Sequence, residues 1–264
     1  KNSFSASVNK SFKINCRKHK GGYVLEYKLI NEQTIMIYFE AQINPDIFNK
    51  VQQISNYIKK QNHPAIIDIV PSYRAIMLNI DIAQCDVKQV VKELKLDQLN
   101  NKMEAHTNED PKQISIPVLY GRTHGQDLIE VASYHDLSEA EVVQLHTENT
   151  YLIYMLGFMP GFPFLGGLNS QLHTPRRQEP RTSIPAGSVG IANNQTGLYP
   201  KESPGGWQII GRTPIQVFDI NRSPMCLYNS GDTIKFYSID EETFDHIQQA
   251  QLQDDFDIEK WVNK

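Results

Sequence analysis

Apolar residues in the first third of the chain switch between two periods. In YVLEYKLI (23–30) and TIMIYFE (34–40) the runs are β-rich, and Asn31-Glu32-Gln33 between them is a hairpin signal. Ile47, Val51, Ile54 and Ile58 then recur at helical spacing. Asn44 is placed to cap that helix, Pro45 to occupy its first position, Asp46 its first turn, and Lys59 and Lys60 its end. Strand-like runs return at AIIDIV (65–70) and AIMLNI (75–80), joined across Pro71-Ser72-Tyr73-Arg74. Val87, Val90, Val91 and Leu94 mark a second helix. The order ββαββα predicts a small α+β domain over 23–97, with helices on one face of an antiparallel sheet.

Residues 98–113 are polar and acidic and run into Asp110-Pro111, a linker composition. A second domain is expected over 114–264. ISIPVLYG (114–121) restarts strand structure. Ser138 and Glu141 form a capping box for a helix with Val142, Leu145 and His146 inward. IQVFDI (215–220) and TIKFYSI (233–239) read as strands, and Asp240 opens a terminal helix with Phe244 and Ile247 inward. Between them, Gly157 to Pro214 holds ten of the chain's 15 Gly and eight of its 14 Pro, amid Phe158, Phe162, Phe164, Trp207, Ile209 and Ile210. Apolar residues at that density need burial, so the segment is an ordered set of short strands and tight loops, not a linker. The domain is mainly β, a closed or nearly closed barrel.

Bulk properties narrow the function classes. A net charge of -4 gives no reason to expect nucleic acid, and no apolar run approaches the ~20 residues of a membrane span. Cys16, Cys85 and Cys226 are widely separated and odd in number, which suits reduced thiols in a cytoplasmic protein. Eight histidines show no metal-ligand spacing, so no metal site is expected. Residues 1–22 carry six Lys/Arg and no acid, and are set apart as a basic tail, disordered or added to the natural start.

Candidate chemistry concentrates in the Gly/Pro segment. Residues 151–215 contain Arg176, Arg177, Arg181, Lys201 and Arg212, only Glu179 and Glu202 as acids, and no Asp. Guanidinium groups on glycine-rich loops suit a carboxylate or phosphate ligand; the alternative is that they cap carbonyls or pair with Glu179 and Glu202. His146 is either a general acid/base or a satisfied core histidine. Gln195, Thr196 and Tyr199 either meet a ligand or pack in a tight turn. Phe162, Phe164 and Trp207 are either core or a partner interface. Ala186-Gly187-Ser188-Val189-Gly190 lacks the following helix that a nucleophile elbow requires. With no P-loop and no Asp in the segment, any Mg-ATP chemistry is expected to need another chain.

GFMPGFPFLGGL (157–168), TPRRQEPRTSIPAGSVGIA (174–192), QTGLYP (195–200) and SPGGWQIIGRTP (203–214) closely resemble one family. It contains the B-type subunit of 5-oxoprolinase, the first of the two allophanate hydrolase subunits and an inhibitor of a sporulation histidine kinase. Val70-Pro71-Ser72-Tyr73-Arg74 and LYGRTHGQDL (119–128) extend the resemblance across nearly everything after Tyr23. Departures are Phe164, where many members have Tyr, Asn193-Asn194, where glycines are common, and Arg122-Thr123-His124 in a loop that usually reads Gly-Gly with an acid. The resemblance implies a cyclophilin-like second domain and a His at position 146. It implies one component of an ATP-dependent 5-oxoprolinase, with ATP and Mg serving the assembled enzyme and no cofactor held by this chain alone. The implied partners are a homologous second subunit, the C-type chain of 5-oxoprolinase, and its A-type lactam-utilisation chain. On that reading Arg176, Arg177, Arg181, Gln195, Thr196, Tyr199 and Arg212 bind substrate and His146 is catalytic. Arg181→Ala or Arg212→Ala should then abolish turnover without unfolding. The alternatives are a regulator that docks on a histidine kinase through Phe162, Phe164 or Trp207, and a carboxyltransferase component for a urea-like substrate.

Overall fold

The structure is a computed structural model that describes residues 26–42, 44–96, 111–253 and 256–263. The tail 1–22, the start of the first expected strand (23–25) and residues 98–110 of the expected linker lie outside the described residues. The chain divides into two compact units, Lys1–Thr107 and Asn108–Lys264.

In the first unit β1 (Glu26–Leu29), β2 (Thr34–Tyr38), α1 (Pro45–Gln61), β3 (Ile66–Pro71), β4 (Ala75–Ile80) and α2 (Val87–Glu93) follow one another. The strands form one antiparallel sheet in the order β1-β2-β4-β3. Helix α1 begins where the Asn44 side chain accepts the Asp46 N–H at 2.7 Å, with Pro45 where a missing N–H costs nothing. It ends at Asn62, which adopts the left-handed conformation (φ 46) and donates its N–H to the Lys59 carbonyl. Its Ile47, Val51, Ile54 and Ile58 bury against Ile35, Ile37, Ile76 and Leu78 of the sheet. Each such side chain removed from water contributes roughly 1.5–3 kcal/mol, and that burial holds the helix to the sheet.

The second unit begins with β5 (Gln113–Tyr120), α3 (Leu128–Tyr134) and α4 (Glu139–Glu148), then β6 (Thr150–Leu156) and β7 (Pro163–Gly166). After these come β8 (Arg181–Ile184), β9 (Ser188–Ala192), β10 (Gln195–Leu198), β11 (Ser203–Gly205) and β12 (Gln208–Arg212). The chain closes with β13 (Thr233–Ser238), α5 (Glu241–Ala250) and α6 (Glu259–Val262). Seven strands close a barrel in the order β10-β7-β6-β13-β5-β12-β9, while β8 and β11 form a separate two-stranded ribbon. Only β5 and β13 run parallel. Ile116, Val118, Tyr151, Ile153, Leu165, Val189, Ile191, Leu198, Ile210, Ile234 and Phe236 fill its core. The β9–β10 hairpin turns on Asn193 at φ 54, a backbone conformation that Asn adopts at little cost, so glycine is dispensable there.

Two expectations are corrected. IQVFDI (215–220) is not a strand: it makes only an isolated bridge between Phe218 and Cys226. The Arg222 guanidinium donates to the Gln216 and Val217 carbonyls at 2.9 Å each, and the Val217 carbonyl also accepts the Leu227 N–H at 3.1 Å, so the segment is held by one short pairing and a side-chain tie. Helix α3, not foreseen, follows the LYGRTHGQDL loop.

Candidate functional site

After β5 the chain turns back over β12. Gly121 donates its N–H to the Ile210 carbonyl at 3.0 Å, and a Cβ on Gly125 would collide with that same carbonyl. The turn delivers Asp127 to the barrel wall, where its N–H donates to the Ile209 carbonyl (2.8 Å) and its Oδ2 accepts the Ile209 N–H (2.6 Å). Asp127 is 1% exposed. Arg181 grips both its oxygens, Nη1 on Oδ2 at 2.9 Å and Nη2 on Oδ1 at 2.6 Å. Arg177 Nη1 reaches Oδ1 at 2.9 Å and Glu130 Oε2 at 3.4 Å. One buried carboxylate thus orders two guanidiniums. The arginines were expected to face a ligand, cap carbonyls or pair with Glu179 and Glu202, but the partner of Arg177 and Arg181 is an aspartate from outside the Gly/Pro segment. Glu202 is engaged by the Ser183 hydroxyl at 2.8 Å.

Beside this cluster lies a cavity of about 460 Å³, walled by Glu130, Tyr134, Arg176, Arg177, Glu179 and Gln208 among others. Arg176 is exposed, its guanidinium 5.5 Å from the centre of the Trp207 ring. Two polar atoms in the cavity-lining residues, Arg177 Nε and Gln208 Oε1, are buried without a hydrogen-bond partner among the described residues. A second hollow, of about 30 Å³, is lined by Thr123, His124, Gln126, Arg181 and Arg212 among others. Arg212 Nε donates to the Ala186 carbonyl at 2.8 Å.

His146 sits elsewhere, fully buried on α4. The Thr196 hydroxyl donates to the Gly190 carbonyl (3.0 Å), so it accepts from His146 Nε2–H at 2.8 Å. His146 Nδ1 is left to accept the Tyr120 hydroxyl at 2.8 Å. Its ring stacks on Phe236 at 4.9 Å, and burial lowers its pKa to about 3, so the imidazole is neutral. Both ring nitrogens are satisfied within the chain, the arrangement of a core histidine. The capping box that starts α4 is present, Ser138 and Glu141 exchanging side-chain and backbone bonds.

The other expected residues are dispersed. Thr196 is buried in the His146 network, and Gln195 opens β10 opposite Ala192. Tyr199 is buried with its pKa raised to about 12 by desolvation, which Arg176 and Arg181 partly oppose. Phe162 and Trp207 are 1% and 3% exposed and pack with Tyr199, Ile184 and Ile209, with Phe164 against them. They form a small core, not exposed anchors; the exposed aromatic of that loop is Phe158, at φ 68. Asp127, Glu130, His124 and Gln208 were missed, although Asp127, His124 and Gln208 lie inside blocks that carried the resemblance. In the first unit, ligand atoms of His63, Cys85 and Glu93 lie within 4.8 Å of one another. Ala65 donates its N–H to His63 Nδ1 (3.2 Å), which leaves the proton on Nε2 aimed at Glu93 (2.7 Å), a pairing complete without a metal. No helix among the described residues is long and apolar enough to cross a membrane.

A closed mixed barrel with arginines ordered around a buried carboxylate, beside a polar cavity, defines a barrel domain suited to small polar ligands. Residues 25–228 match the family described as carboxyltransferase domain, subdomain C and D, and the chain belongs to that family. It is 38% identical to the B-type subunit of 5-oxoprolinase from Bacillus subtilis (strain 168), over 81% of this chain and 93% of that protein. It is 54% identical to the B-type subunit of 5-oxoprolinase from Haemophilus influenzae over a shorter match, 47% of this chain and 59% of that one. The urea carboxylase of Kluyveromyces lactis superposes with a TM-score of 0.75 over 91% of this chain and 24% of its own length; at 18% identity that likeness concerns the fold alone.

Proposed function

We propose that the chain is the B-type subunit of an ATP-dependent 5-oxoprolinase, which opens the lactam of 5-oxo-L-proline to L-glutamate. The observation that carries this is the 38% identity to the Bacillus subtilis B-type 5-oxoprolinase chain, running through 93% of that protein's length. The barrel is of the cyclophilin-like kind on this reading. Phosphorylation of the lactam oxygen by ATP turns a poor electrophile into a good one. Water then adds at the carbonyl carbon, the C–N bond breaks to free the amine and leave an acyl phosphate, and a second water hydrolyses the acyl phosphate to the carboxylate and inorganic phosphate. ATP and Mg are assigned to the partner subunits, a homologous C-type chain and an A-type lactam-utilisation chain, since the buried acid of the site, Asp127, is taken up by Arg177 and Arg181.

In this scheme Arg176, held over Trp207 at the cavity rim, receives the substrate carboxylate. Asp127 is a positioning residue that fixes Arg177 and Arg181. His146, neutral and closed in by Tyr120 and Thr196, is structural here and not the acid/base. Arg181→Ala is a poor probe of binding because it also strips a buried carboxylate of its partner. Arg176→Ala, at an exposed position, should leave the fold intact and raise KM for 5-oxoproline about tenfold or more through loss of a charge-assisted contact. The decisive assay couples 5-oxoproline-dependent ATP hydrolysis to glutamate detection, with this chain alone and then with its partner subunits. Glutamate formed only in the full mixture supports the reading, and none from a verified complex removes it. No observation favours the histidine-kinase reading, since Phe162 and Trp207, its expected anchors, are interior.

A further inference from the structure

Arg212 differs from the other half-buried arginines of the barrel unit. Arg177 and Arg181 share Asp127, and Arg222 donates to the Gln216, Val217, Pro224 and Met225 carbonyls. Arg212, at the end of β12, has its Nε on the Ala186 carbonyl and no carboxylate within 4.0 Å among the described residues. Burial already pushes its pKa down. A cation withdrawn from water without a counter-charge is costly, and folds keep such groups where something pairs with them. The hollow it lines, about 30 Å³, is also lined by Thr123, His124, Gln126 and Arg181, and by no Asp or Glu. That space admits water-sized groups, room for an oxygen of an anion whose remainder stays in solvent.

We propose that Arg212, His124, Thr123 and Gln126 form an oxyanion site that takes one oxygen edge of a phosphate or carboxylate group. It is separate from the 460 Å³ cavity and stands whether or not the chain serves lactam opening. The charged groups around His124 set how it responds to pH. Burial and Arg212 on β12 disfavour its proton, while Glu241 and Asp245 on α5 favour it. Phe244 packs on the ring at 4.7 Å, and Arg122 occupies Glu241 at 2.6 Å. A bound anion adds to the groups favouring imidazolium, so binding tightens as pH falls through the imidazole range.

The test titrates the full chain with inorganic phosphate and with acetate at constant ionic strength. Binding is followed by calorimetry and by the His124 ring-proton resonance, assigned with His124→Gln. Saturable binding is expected, weakened at least about tenfold in Arg212→Gln by loss of a charge-assisted contact. Thr123→Glu, at an exposed position, puts a carboxylate into the hollow and should abolish binding even where Arg212→Gln fails to fold. Phosphate binding without acetate identifies a phosphoryl ligand, and acetate binding as tight identifies a carboxylate ligand; either supports the site. No saturable binding to folded wild-type chain, or binding that Thr123→Glu leaves unchanged, overturns it. Neither result depends on the partner subunits, so failure of the glutamate assay leaves this outcome legible.

Discussion

The barrel unit contains two buried polar networks built on opposite terms. Around His146 every group is neutral, and the chain of donors from Tyr120 through the imidazole and Thr196 ends on the Gly190 carbonyl. Around Asp127 the groups are charged, and one carboxylate answers two guanidiniums beside a cavity whose lining residues leave polar atoms unpaired. A network that closes on itself offers nothing to a ligand, whereas one with charged groups at a cavity and unpaired atoms does. The contrast places the candidate chemistry at Asp127 and its neighbours and gives His146 to the core.

The strongest way to break this comparison is Asp127→Asn, which keeps the shape and removes the charge. Arg181 is left without a carboxylate and Arg177 with only the exposed Glu130, and urea unfolding should show a loss of about 3–5 kcal/mol. A loss below ~1 kcal/mol would mean that the arginines do not depend on Asp127. Next in size is an acid effect from His146. Its folded pKa, about 3, lies below its unfolded value, so the unfolded chain binds more protons between those limits. Its contribution is fully present above the unfolded pKa and falls by about 1.4 kcal/mol per pH unit below it, or roughly 2 kcal/mol between pH 7 and pH 5. His146→Phe should flatten that slope in unfolding curves recorded across the range, and an unchanged slope would show that the imidazole is not the group responsible. Thr196→Val removes the acceptor of the His146 proton and a donor to Gly190 and should cost about 1–3 kcal/mol, read as a shift in denaturation midpoint. The smallest effect is expected from Ser138→Ala at the start of the helix that carries His146, about 1 kcal/mol through loss of the cap.

Much of the fold was legible because local chemistry and burial agree. Asn44-Pro45 and the Ile47-Val51-Ile54-Ile58 stripe announce α1, and Ser138 with Glu141 announces α4. One failure has its cause in a side chain spent on a distant partner. Asp127 occupies the N-cap position of α3 yet makes no cap hydrogen bond, because its oxygens serve Arg177, Arg181 and Ile209. The pattern of residues 215–220 reads as strand, but only the Phe218–Cys226 bridge forms, with the nearby Arg222 donating to the Gln216 and Val217 carbonyls. The site was half legible for the same reason. Arginines cluster visibly in the Gly/Pro segment, while the acid that orders them arrives from some fifty residues earlier in the chain. No local pattern reports a pairing of that range.

The parallel pairing of β5 with β13 sets residues 113–118 beside 233–238, and β13 also separates β5 from β6. On the ribosome the sheet of the first unit is complete once Ile80 has emerged, but the barrel lacks a stave until Ser238 does. At roughly 5–20 residues per second that interval lasts on the order of ten seconds, during which β5 and β6 present unpaired edges. The nascent chain is therefore a finished small domain followed by an open sheet, and its closure waits on the last of these strands to be made.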